Sequence, residues 1–120
     1  MNRKNPSGGS GLTGLDDAHL FLYLTVGSPE EAERVGRILV EEKLVACINL
    51  FPQVKSIYNW EGKLCSDKEV VLMGKTVKAN VSPLMKRIKS IHSYSCPCIV
   101  FLPILEGYPP FLEWVEKNTN

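Results

Sequence analysis

The chain has 120 residues, 44% of them apolar and 22% charged, the size and balance of one ordinary globular domain. With 14 basic residues against 13 acidic ones the net charge is +1, which excludes a general electrostatic attraction for nucleic acid or for an anionic membrane. The longest mostly apolar stretch, Cys96 to Leu105, falls far short of the roughly 20 residues a helix needs to cross a bilayer, so no membrane span is expected.

Residues 1–17 are expected to form a flexible tail. Asn5-Pro6-Ser7-Gly8-Gly9-Ser10-Gly11 has nothing to bury and much backbone entropy to lose. Arg3 and Lys4 are not followed by the apolar core of a signal peptide, so the cytoplasm is the expected compartment. Residues 18–120 form the expected domain. Its first element is Leu20-Phe21-Leu22-Tyr23-Leu24-Thr25-Val26, a continuous apolar run that suits a central strand with both faces covered. A helix follows. Ser28 is a good N-cap, Pro29 fits the first helical position, and Glu31 stands where a capping box needs it. Ala32, Val35, Ile38 and Leu39 give the helix an apolar stripe, and it should end near Lys43.

Val45 to Phe51 reads as a strand stopped by Pro52. Val54 to Trp60 reads as a further extended segment, Glu61-Gly62-Lys63 as a turn, and Leu64 followed by Glu69 to Thr76 as the return. A second helix is expected over Asn80 to His92, with Val81, Leu84, Ile88 and Ile91 on one face and Pro83 tolerated in the first turn. Cys98 to Ile104 reads as the last strand, and Pro109-Pro110 opens a short terminal helix carrying Phe111, Leu112, Trp114 and Val115. The order β-α-β-β-α-β is the ferredoxin-like pattern of the α+β class: an antiparallel sheet with helices on one face, here with a long β-hairpin and a C-terminal helix. The other face needs a cover this chain does not supply, so a partner subunit is expected.

The motifs point to one family. Glu41-Glu42-Lys43-Leu44-Val45-Ala46-Cys47-Ile48-Asn49, the hairpin Ser56-Ile57-Tyr58-Asn59-Trp60-Glu61-Gly62-Lys63, Glu69, Lys75-Thr76, His92-Ser93-Tyr94 with Pro97, Pro103-Ile104, Gly107 and Trp114 occur in register. Together they resemble the CutA divalent-cation-tolerance family over about residues 19–119. The resemblance implies a ferredoxin-like subunit in a homotrimer whose long hairpin builds inter-subunit sheet. It also implies an association with tolerance to copper and other divalent metals, no established catalytic reaction and no organic cofactor. Two family copper positions are changed: the first-strand cysteine is Leu24 here, and the histidine preceding His92 is Ile91. A glutamate common in bacterial members is Cys98.

Two groups of residues are candidates for chemistry. His92 with Cys96 and Cys98 makes His-x-x-x-Cys-x-Cys, a mixed imidazole and thiol set suited to Cu(I) or Zn(II). The same residues also read as a helix-capping histidine and two small apolar packers. Lys75, Glu69, Tyr58, Trp60 and Tyr94 could line a cleft between subunits and hold a small anionic ligand, or seal an interface while Lys75 and Glu69 pair with each other. Cys47 reads as core and Cys65 as exposed. An acylphosphatase-like hydrolase would need an anion-cradling loop with Arg after the first strand, where this chain has Val26-Gly27-Ser28-Pro29. An RNA-binding sheet would need stacking aromatics in the third strand, where it has Val70-Val71-Leu72-Met73-Gly74-Lys75.

Overall fold

The computed structural model describes residues 19–120; the expected tail lies outside the described residues. The elements are β1 (His19–Val26), α1 (Pro29–Glu41), β2 (Cys47–Trp60), β3 (Lys63–Val77), a 3-10 turn (Lys78–Asn80), α2 (Val81–Ile91), β4 (Ile99–Pro103) and α3 (Pro109–Lys117). The sheet order is β2-β3-β1-β4, with all neighbours antiparallel. This is the expected ferredoxin-like α+β arrangement.

The helices cover one face. Leu22, Leu24 and Val26 of β1 and Val70 and Leu72 of β3 form the core with Ala32, Val35 and Leu39 of α1 and Leu84 and Ile88 of α2. Alternation along β1 is strict: Leu20, Leu22, Leu24 and Val26 are buried, while Phe21, Tyr23 and Thr25 between them stay half-exposed. The continuous apolar run therefore covers one face within the chain and offers a second apolar face outward. On that helix-free face Val100 and Leu102 of β4 are each 46% exposed, and Phe51 of β2 is exposed as well.

Close backbone approaches explain two small residues. A Cβ on Gly36 would lie 3.3 Å from Ile48 Cγ2, and one on Gly74 would meet Ile48 Cδ1 at 3.1 Å and the Cys47 carbonyl at 3.3 Å. The segment between α1 and β2 is tied down by buried polar groups: Thr76 Oγ1 and Asn80 Nδ2 both donate to the Leu44 carbonyl, at 2.7 and 3.2 Å. Arg87 of α2 grips Glu42 with Nε at 2.9 Å and Nη2 at 2.8 Å. That fork holds the Glu42 carboxyl below its usual 4.5.

Two expectations are corrected. Pro52 does not stop β2. The strand runs on through a bulge between Phe51 and Val54, with Gln53 at φ 59. β2 is an edge strand, so a residue without an N–H costs no ladder bond when it sits in a bulge. The capping box at Ser28 is one-sided: Ser28 Oγ accepts from Glu31 N at 3.2 Å, but the Glu31 carboxylate turns to Ser93 instead. Beyond the bulge the β2–β3 hairpin continues to a two-residue turn at Glu61 and Gly62, with φ values of 52 and 82. Positive φ at both positions matches the twist of paired strands, and glycine accepts it without strain. The outer face of this hairpin bears Ile57 at 66% and Leu64 at 80% exposure.

Candidate functional site

The pairing register sets which side chains meet. Glu69 lies opposite Val54, Asp67 opposite Ser56 and Cys65 opposite Tyr58. Strand alternation then puts Ser56, Tyr58 and Trp60 on the same helix-free face as Glu69, beside Tyr23 and Thr25 of β1. The segment between α2 and β4 closes over them. The result is a cavity of about 480 Å³, walled by Tyr23, Thr25, Ser56, Tyr58, Trp60 and Glu69 and closed by Tyr94, Ser95, Cys96 and Cys98.

That closing segment is held at several points. His92 Nδ1 accepts from the Tyr94 backbone N–H at 3.0 Å, which leaves Nε2 as the protonated nitrogen donating to the Thr25 carbonyl at 2.9 Å. The Glu31 carboxylate accepts from Ser93 N and Ser93 Oγ, both at 2.8 Å. Burial pulls the Glu31 carboxyl upward, but the two Ser93 bonds, aided by nearby His92 and Arg34, outweigh it and hold it below 4.5. Tyr94 then reaches across and donates its hydroxyl to Glu69 Oε2 at 2.6 Å. Gly27 makes room for it, since a Cβ there would lie 3.2 Å from the Tyr94 oxygen.

Two phenols serve two carboxylates. Burial, together with the bond to Glu69, pushes the Tyr94 phenol well above its ordinary value. Donation to Asp67 pushes Tyr58 up to about 12. Both hydroxyls remain protonated donors at neutral pH. None of the lining residues is Lys, Arg or His, so the cavity is aromatic and carries negative charge.

Of the residues expected to form a cleft, Tyr58, Trp60, Glu69 and Tyr94 do come together here. Lys75 does not. It lies six positions along β3 from Glu69, a separation of roughly 20 Å in an extended strand, and its Nζ donates to Asn49 Oδ1 at 2.6 Å. The expected pairing of Lys75 with Glu69 is not formed, nor is a cation supplied for an anionic ligand. Cys96 and Cys98 line the cavity as free, exposed thiols. His92 is not with them, because both its nitrogens are spent on backbone groups. Among the described residues no three His, Cys, Asp or Glu side chains gather to hold a metal ion. The donor set His92, Cys96 and Cys98 is thereby reduced to two thiols, which fit a soft ion of low coordination number. Cys47 and Cys65 are both half-buried.

Tyr23 and Thr25 are not marked by any motif, and Ser56 is marked only as the first residue of the hairpin motif. Their signal lies in the alternation of β1 against Leu22 and Leu24, and in the hairpin register counted back from Gly62.

Comparison with known proteins places this geometry in a family. The CutA1 divalent ion tolerance protein family matches residues 20–118. The divalent-cation tolerance protein CutA of Thermus thermophilus is 43% identical, over 82% of this chain and 96% of that protein. A solved structure of a divalent cation tolerance protein from Thermus thermophilus superimposes with a TM-score of 0.84 at 40% identity, covering 85% of this chain and 99% of that one. The periplasmic divalent cation tolerance protein CutA of Archaeoglobus fulgidus superimposes at 0.81 with 41% identity, over 83% and 97% of the two chains.

Proposed function

The chain belongs to the CutA1 divalent ion tolerance family, and from that premise we propose that it acts as a homotrimeric metal-tolerance protein that binds copper or another divalent metal and catalyses no reaction. The relatives are named for tolerance to divalent cations and not for a reaction. The observation that carries the assembly is the helix-free sheet face. Phe51, Val100 and Leu102 stand exposed on it, and the hairpin extending from it bears Trp60, Ile57 and Leu64 in water. A domain of this size gains most by covering such a surface with copies of itself; the number three follows the family resemblance.

For the metal, the donors are Cys96 and Cys98, which share one cavity wall. A bound ion would be held by their sulfurs, which supply soft, charge-donating ligands. Four free cysteines fit a reducing compartment, and the cytoplasm is the proposed location. Copper and zinc titrations of the wild type beside Cys96→Ser, Cys98→Ser and His92→Ala test this. Binding lost in the two cysteine variants and kept in His92→Ala supports it; equal binding in all four proteins contradicts it.

The second reading, a small-molecule trimer that holds an anion in the inter-subunit cleft, needs Lys75 as the positive partner. With Lys75 tied to Asn49, the cavity gives an anion no such partner.

A further inference from the structure

We propose that the cavity under the hairpin is a receptor site for a small organic cation, held by the Glu69 carboxylate against a wall of aromatic rings. Glu69 carries the argument. It lines the cavity, is only 8% exposed, and accepts one hydrogen bond, from Tyr94. Among the described residues it has no Lys, Arg or His partner. Burying a carboxylate is costly unless a positive charge compensates it, and within the single chain no described residue supplies one. Asp67, behind Tyr58, adds a second negative charge nearby.

The walls say which kind of cation fits. Tyr23, Tyr58, Trp60 and Tyr94 line the cavity that Glu69 shares, and aromatic faces attract ammonium groups through their quadrupole. A hard metal ion would want several converging oxygen donors at this carboxylate, and no group of three His, Cys, Asp or Glu is gathered among the described residues. An anion would meet no basic side chain. The volume of about 480 Å³ lies in the range of roughly 300–1,000 Å³ typical of small-molecule sites. An alkylated amine satisfies the carboxylate, the rings and the size together. The two thiols proposed as metal donors line the same cavity, so the organic cation is tested on metal-free protein.

Calorimetric titration of the full-length, chelator-treated protein tests it, with choline, tetramethylammonium and putrescine as probes. The control is the neutral isostere of choline, in which carbon replaces the ammonium nitrogen. The expected result is saturable binding of at least one probe, none of the isostere at equal concentration, and about tenfold weaker binding in Glu69→Gln. Should Glu69→Gln fail to fold, Trp60→Leu, on the exposed hairpin, is expected to weaken binding similarly, and added salt to weaken it in the native protein. Equal binding of the isostere, binding that requires added metal, or full affinity in Trp60→Leu overturns the proposal. Failure of all three probes also overturns it. If Glu69→Gln then dissociates the assembly, the cation at Glu69 is a basic side chain of a second copy.

Discussion

The imidazole of His92 donates from Nε2 to the backbone carbonyl of Thr25 at 2.9 Å, across 67 residues of sequence. With Nδ1 accepting from Tyr94 N–H, the ring is a buried pin that sets the turn carrying Tyr94, Cys96 and Cys98 over β1. His92→Ala removes a partner from two partly buried backbone groups. It is expected to cost about 2 kcal/mol in denaturant unfolding while leaving the metal count per chain unchanged. Loss of metal without loss of stability would assign the ring to ligation instead.

Glu31 ties the start of α1 to Ser93, and its carboxyl is held below 4.5. A carboxyl depressed by folding contributes stability above its unfolded value and loses it as pH falls through the folded value. Glu31→Gln should therefore be less stable than wild type near neutrality, and the gap should close as the pH drops below 4.5. Unfolding midpoints across that window measure it; a gap that widens in acid would contradict the assignment.

Gly74 lies opposite Ile48 in the β2–β3 ladder. Gly74→Ala places a Cβ 3.1 Å from Ile48 Cδ1 and 3.3 Å from the Cys47 carbonyl, and the expected cost is about 1–3 kcal/mol. Ile48→Val removes the nearer of the two contacts. The double variant should recover part of the loss relative to the sum of the singles, measured as a coupling in a mutant cycle.

Much of the fold was legible in local pattern. Ser28, Pro29 and the stripe of Ala32, Val35 and Leu39 mark α1 because capping and helical spacing are near-neighbour effects. Gly62 marks the hairpin turn for the same reason. Pro52 misled, because a proline in a bulge at a sheet edge carries no penalty, and edge position is a property of the assembled sheet. The site was half legible. Glu69, Tyr58, Trp60 and Tyr94 share the cavity, but the separation of Lys75 from Glu69 depends on position along one strand. The withdrawal of His92 from the thiols depends on a carbonyl in β1 that its own neighbourhood does not reveal.

The bare sheet face makes its own prediction. Val100 is 46% exposed and outside the core cluster, so Val100→Glu should leave the single-chain fold and its circular dichroism intact. The charge would instead be buried wherever another copy covers β4, which is costly without a partner. Light scattering is expected to show a smaller particle than wild type.

The most direct test of the account is the native mass of the purified protein before and after adding Cu(I), Cu(II) and Zn(II), since it reports subunit number and metal count together. The account predicts three chains per particle and metal uptake that disappears in Cys96→Ser and Cys98→Ser. A stable single chain, or a particle whose mass no metal changes, would contradict it.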